Sequence, residues 1–334
     1  MVRANAPVIG ASSNPYLETD HWQFNFGWRY MYSDRHFTGT HQDSDRDAKN
    51  TQVKNTIHTL NLGVDYGWSD QTYLSFNLPY LMNKRTQGAG SSYPGERRAS
   101  AAHGIGDFSV VANHWLFDVH DHLDRNVGIG LGIKLPTGDD NVQDSKKFKG
   151  DFTDDGKNSP VDQVYATTVD QSIQPGDGGF GLILNVTAFR TWGNVTPYFT
   201  GSWIFTPQGQ SDVYTGRSKQ SEGKMSIADS YVGRVGAMFA IPAVTGFAVG
   251  AGFRMEGVPN HDPWGKDHGF RRPGYAVSFE PTFAYGRGRD SFSLSVPYAL
   301  VRNRLRSDAD QRYGGHGDAA FADYLILFNW SRRF

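Results

Sequence analysis

The chain has 334 residues, of which 39 are glycine and none is cysteine; 14% are aromatic, the formal net charge is −1 and the mean hydropathy is −0.53. The missing cysteines exclude a disulfide scaffold and thiolate metal sites, and the balanced charge gives no electrostatic reason for a nucleic-acid partner. No window approaches the roughly 18 consecutive apolar residues of a membrane helix, but a membrane barrel escapes that test because only every second strand residue faces lipid.

Residues 1–20 carry no apolar stretch long enough for a signal-peptide core. They are expected to form a periplasmic N-terminal segment of a mature chain, with Met1 added or retained. The first clear element follows: Trp22, Phe24, Phe26, Trp28, Tyr30 and Tyr32 alternate with Gln23, Asn25, Gly27 and Arg29. Period two places those aromatics on one face of a strand, whereas a helix would scatter them.

The same alternation continues along the chain. Leu60 to Trp68 is followed by a short turn and Leu74 to Met82; next come Phe108 to Leu116, and then Val127 to Leu135 against Gly128, Gly130, Gly132 and Lys134. The second half offers Leu182 to Ala188, Val195 to Trp203, Tyr231 to Ile241, Phe247 to Met255, Tyr275 to Tyr285, Phe292 to Leu300 and Tyr324 to Phe334. Each run approaches the roughly ten residues that a tilted strand needs to cross a bilayer. The connections alternate between short ones and long ones, the latter near residues 34–55, 84–104, 137–177, 207–228, 259–273 and 305–319.

This grammar predicts an all-β fold, an up-and-down antiparallel transmembrane barrel of about twelve strands over residues 21–334. Short turns belong on the periplasmic side, so both termini are expected there, and the long loops outside a bacterial outer membrane. A soluble β-sandwich also alternates, but its strands seldom run past about ten residues. Aromatics at strand ends, such as Trp22, Trp68, Trp203, Tyr285 and Trp330, fit an interfacial belt better.

With the apolar face on lipid, the charged residues Arg29, Asp65, Asp107, Lys134, Arg234, Arg254, Glu256, Glu280 and Asp323 are expected to line the lumen. Buried charges are costly unless paired or hydrated, so cross-strand pairing or a wet channel wall is implied. Inward apolar residues, including Trp115, Ile183, Phe189, Tyr198, Val232, Met238, Leu325 and Leu327, allow either a narrow passage for apolar or aromatic solutes or a plugged bore. In the first long loop, Asp43, Asp45 and Asp47 have a spacing able to hold a calcium ion, yet Ala48 and Lys54 stand where that loop pattern needs Gly and Glu. A solvated acidic loop and no cofactor is the simpler expectation. A lipid-active enzyme would need a nucleophile beside an outward histidine, and neither His58 nor His114 has an outward serine near it in this register.

Several phrases carry a resemblance: Gly104-Ile-Gly-Asp107, Gly132-Ile-Lys-Leu-Pro-Thr-Gly-Asp139, Gln174-Pro-Gly176, Arg254-Met-Glu-Gly-Val-Pro259 and Asp290-Ser-Phe-Ser-Leu-Ser-Val-Pro297 running on to Arg304. In this order they resemble the phenol-degradation-pathway (MetA-type) outer-membrane family. The resemblance implies a barrel associated with uptake of aromatic or other hydrophobic compounds, and it assigns no catalytic residues. The expected function is therefore a passive channel for such solutes, with a docking barrel for a partner protein or a lipid-active enzyme as alternatives. Outer-membrane lipid and, through the terminal Phe334, the barrel assembly machinery are the expected partners. The Gly-Asp and Pro-Thr-Gly-Asp phrases stand where strands meet long loops, and are expected to fix loop conformation or to hold loop 137–177 in the mouth.

Overall fold

The computed structural model describes residues 15–88, 96–148, 163–217 and 219–334. The alternating runs become β1 (Trp22–Thr38), β2 (Lys54–Ser69), β3 (Thr72–Gly88), β4 (Arg97–Ile105 and Ser109–Trp115), β5 (Arg125–Lys134) and β6 (Gly181–Arg190). They continue as β7 (Val195–Phe205), β8 (Ser230–Ala240), β9 (Phe247–Val258), β10 (Gly274–Arg287), β11 (Asp290–Ser295 and Tyr298–Arg304) and β12 (Ala319–Arg333). Each pairs antiparallel with the next, and β12 closes on β1 from Gln23↔Arg333 to Phe37↔Ala319. The result is the closed antiparallel barrel of twelve strands that the alternation predicts, with every strand edge satisfied by a neighbour.

The interruptions have simple causes. Within β11, Pro297 has no amide to give the ladder, and pairing resumes as its carbonyl accepts from Leu325 N at 3.0 Å. Within β4, Gly106 to Phe108 leave the ladder while Gly106 N donates to Pro79 O at 2.8 Å. Strand also extends into sequence that reads as loop: β3 and β4 stay paired out to Gly88↔Arg97. Beyond the apolar belt both faces of a hairpin are polar, so period two loses its contrast although the backbone pairing continues.

The outward face is apolar and solvent-accessible. Leu131 is 65% exposed, Val235 54% and Phe253 52%, with Leu62, Phe199 and Phe283 also exposed. An apolar surface running round a whole barrel far exceeds the few hundred Å² that a soluble monomer tolerates. Inside, the two ends differ. At the short-turn end, Trp115, Phe189, Tyr198 and Met238 form one apolar cluster with Ala248 and Ala284, and Tyr16 from the N-terminal segment packs into it. The Tyr16 ring meets Trp115 edge-on at 5.2 Å and Phe189 at 6.2 Å; its hydroxyl donates to His122 O at 2.5 Å and accepts from Asn126 Nδ2 at 3.1 Å.

At the long-loop end, the glycine phrases interlock. Thr137 Oγ1 donates to Gly106 O at 3.0 Å and accepts from Phe108 N at 2.8 Å, while Asp107 Oδ1 accepts from Gly138 N at 3.1 Å. Gly176 N reaches Asp139 O at 2.8 Å, and a Cβ added at Gly176 would stand 2.1 Å from Gly138 O. Only hydrogens fit between these backbones. Gly176→Ala is accordingly expected to destabilise the barrel mouth by about 1–3 kcal/mol through overpacking, read as a lower urea midpoint in detergent. Gly233→Ala, whose Cβ would meet nothing within 4 Å, should leave the midpoint nearly unchanged.

Candidate functional site

The charged residues of the strands point inward and are paired across the lumen. Arg234 on β8 stands directly opposite Arg254 on β9, an arrangement of like charges that is unfavourable by itself. Glu280 on β10 answers both: it accepts from Arg234 through a charge-assisted bond, with Arg234 Nε at 3.3 Å, and lies 3.9 Å from Arg254. Glu256 takes Arg254 at 2.8 Å and also Arg29 at 2.7 Å. Arg29 comes from β1, with β10, β11 and β12 between it and β9 along the wall, so this bond crosses the bore. Arg234, Arg254 and Glu280 are buried to 3% exposure or less.

Above the Arg29–Glu256 pair, toward the long loops, lies a cavity of about 490 Å³. None of the Tyr16 cluster lines it, so the apolar layer at the short-turn end stands apart from this space. Its wall mixes Met31, Val53, Ile57 and Phe270 with an unusual density of arginine. Lys134 at the rim donates to Asp177 at 2.5 Å and Asp107 at 3.2 Å. Asp323 accepts from Arg302 at 2.5 Å and from Arg35 Nε at 2.7 Å. Asp65 is separate, nearer the short turns, where Gln23, Asn25 and Ser75 donate to it.

Part of the third long loop folds into the mouth. Ile173 and Gln174 are fully buried; Asn83 Nδ2 on β3 donates to Ile173 O at 2.9 Å, and the Gln174 amide bridges Val142 and Val169. Asp170 anchors this segment, accepting both ends of the Arg272 guanidinium at 2.8 and 2.7 Å with Arg85 at 3.5 Å. Burial alone would raise the Asp170 carboxyl, but the Arg272 and Arg85 charges overcome it and hold the group well below the ordinary carboxylate range. Because the folded value is depressed, the clamp contributes stability above the normal carboxylate range and loses it only as pH falls through the lower folded value. Proteolysis of the loop followed against pH should show protection persisting below about pH 4, where ordinary carboxylates titrate. Asp170→Asn should expose the loop already at neutral pH.

A second fastening joins the first and last long loops. His36, 4% exposed, accepts from Val53 N at 2.7 Å through Nε2, so its Nδ1 carries the proton that it donates to Asp318. Arg46 meets the same carboxylate at 2.8 Å. The acidic run nearby is spent on local pairs: α1 (Asp45–Ala48) brings Asp45 to Lys49 at 3.1 Å, and Asp43 lies 3.6 Å from Arg46. Among the described residues no three His, Cys, Asp or Glu side chains gather around a possible metal position, and Asp47 joins none.

The barrel shares its fold with an outer-membrane channel. That protein is the COG4313 outer membrane channel from Pseudomonas putida F1, at a TM-score of 0.61 and 13% identity, with 98% of this chain and 100% of that one covered. Weaker likenesses include the P. putida toluene transporter TodX (TM-score 0.47, 9% identity, 94% and 90% covered) and a Pseudomonas aeruginosa FadL homologue (0.44, 9%, 94% and 90%). No protein-family model and no curated protein matches the chain.

The outward histidines have neighbours on the barrel wall. His58 accepts from Trp28 Nε1 at 3.3 Å, and His114 lies 2.9 Å from Thr72 Oγ1. The sequence reading missed Tyr16, which belongs to no alternating run, and the arginines Arg85, Arg217 and Arg272. Arg85 carries a usable signal, since Asn83, Arg85 and Gln87 continue the inward polar positions of β3 beyond Met82.

Proposed function

We propose that the chain is a bacterial outer-membrane channel for passive uptake of small hydrophobic or aromatic solutes, with lumen selectivity set by the paired charges and the folded-in third loop. The observation that carries this is the cavity of about 490 Å³ inside a closed barrel whose outer face is apolar. That volume is in the range of sites for small molecules, about 300–1,000 Å³. The fold shared with the P. putida F1 channel supports the reading. The phrases between Gly104 and Arg304 place the chain, in this proposal, with the phenol-degradation-pathway (MetA-type) family.

Both termini are periplasmic in this reading, and the long loops extracellular, as short periplasmic turns are usual in such barrels. Outer-membrane lipid meets the belt of exposed aliphatic and aromatic side chains, and the assembly machinery engages the terminal strand ending at Phe334. Single-channel recording tests the proposal: the full chain in a planar bilayer should give small, discrete conductance steps. An electrically silent barrel that also fails to admit solute into proteoliposomes would end it.

A further inference from the structure

Three guanidinium groups of the cavity wall, those of Arg85, Arg217 and Arg272, come from three separate parts of the chain. Arg85 is on β3, Arg217 lies in the loop between β7 and β8, and Arg272 precedes β10. Among the described residues, two carboxylates lie within 4 Å of them. Asp170 is taken by both ends of Arg272, leaving Arg85 at the longer distance of 3.5 Å; Glu222 lies 3.6 Å from Arg217. By contrast, Arg46, Arg271 and Arg304 around the same cavity each meet a carboxylate at 3.1 Å or closer. The excess positive charge is therefore local to Arg85 and Arg217.

The arrangement is held before any ligand arrives. Phe270, 6% exposed, lies beneath Arg217 at 3.6 Å and beside Arg272 at 4.5 Å from its ring centroid. These contacts fix guanidinium planes at little cost in hydration. An independent sign of a missing partner stands at the same place: Ser172 is a residue of the cavity wall, and its hydroxyl is buried with no hydrogen-bond partner among the described residues. A buried hydroxyl left unpaired costs free energy that an acceptor would recover. Val53, Ile57 and Met31 supply apolar wall in the same space.

We propose that this cavity is a binding site for small organic carboxylates with an apolar or aromatic body, the carboxylate being held by Arg85, Arg217 and the Ser172 hydroxyl. A carboxylate suits the planar donor fork of arginine, accepts the serine hydroxyl with a remaining lone pair, and neutralises the local excess charge. The apolar body rests on the aliphatic wall. This deepens the channel reading by naming the charge of the solute, and rests on it only for the assignment of the bound molecule as cargo.

Equilibrium dialysis of the full chain in detergent, with benzoate and benzyl alcohol as matched probes and an empty-micelle blank, tests it. Benzoate should bind saturably at one site per chain and at least tenfold more tightly than benzyl alcohol. Arg217→Gln, an exposed loop position whose replacement leaves the barrel strands intact, should weaken benzoate about tenfold and leave benzyl alcohol unchanged. Ser172→Ala should weaken benzoate severalfold. Equal affinity for the two probes, or benzoate binding untouched by Arg217→Gln, overturns the proposal. Arg85→Gln is informative where its heat-modifiability matches the wild type; otherwise Arg217→Gln decides. Solute flux separates the two ideas: flux without selective benzoate binding sinks this inference alone, and selective binding without conductance or flux sinks the channel reading alone.

Discussion

Replacing Glu280 by Gln is expected to lower the stability of the barrel by about 3–5 kcal/mol, the range for removing one partner of a buried ion pair. Glu280 is 1% exposed and lies between two arginines that face each other in register across β8 and β9. Without its charge, Arg234 loses its carboxylate and two buried guanidiniums repel at close range. Arg29→Gln should cost less, because Glu256 would keep Arg254 at 2.8 Å. The check is urea unfolding in detergent, together with the shift between folded and heat-denatured bands on a gel. Pairing Glu280→Gln with Arg234→Gln should recover part of the loss, since the second change removes the guanidinium that faces Arg254 in register. A Glu280→Gln protein within about 1 kcal/mol of wild type, the worth of an exposed ion pair, would mean that water penetrates the pair and screens it.

Tyr16→Ala should open the short-turn end. The side chain is 3% exposed, touches Trp115 and Phe189, and is tied through its hydroxyl to His122 and Asn126. Truncating a buried aromatic costs about 3–5 kcal/mol, and each 1.4 kcal/mol or so is tenfold in an equilibrium. Conductance and solute flux are therefore expected to rise at least tenfold wherever displacement of the N-terminal segment limits passage. Tyr16→Phe keeps the ring and loses the two hydroxyl bonds, so it should give a smaller increase. Unchanged conductance in Tyr16→Ala would place the limiting constriction at the Arg29–Glu256 crossing.

The barrel was readable because an apolar outer face and a packed, charged lumen impose a two-residue period, as at Val127 to Lys134. The inward direction of Arg29, Lys134, Arg234, Arg254, Glu256 and Glu280 follows from that period. Their partners do not: Arg29 and Glu256 are 227 residues apart, and which strands face each other across a bore depends on closure and tilt. The outer ends of β3 and β4 lost their signal where both faces turn polar. Tyr16 stands alone in a segment without periodicity, and Arg217 and Arg272 lie in loops whose course is set by contacts such as Asp170–Arg272. The glycine phrases were readable as loop anchors, yet their mutual contact at Gly106, Gly138 and Gly176 needed the fold.

We propose that the barrel passes small hydrophobic or aromatic solutes and that the apolar cluster around Tyr16 restricts its short-turn end. Uptake of radiolabelled benzyl alcohol and benzoate into proteoliposomes with lipopolysaccharide in the outer leaflet tests it most directly. Wild-type protein should accelerate entry over empty vesicles, and Tyr16→Ala should accelerate it at least tenfold further. Entry indistinguishable from empty vesicles for both proteins, with the barrels shown to be folded, would contradict it.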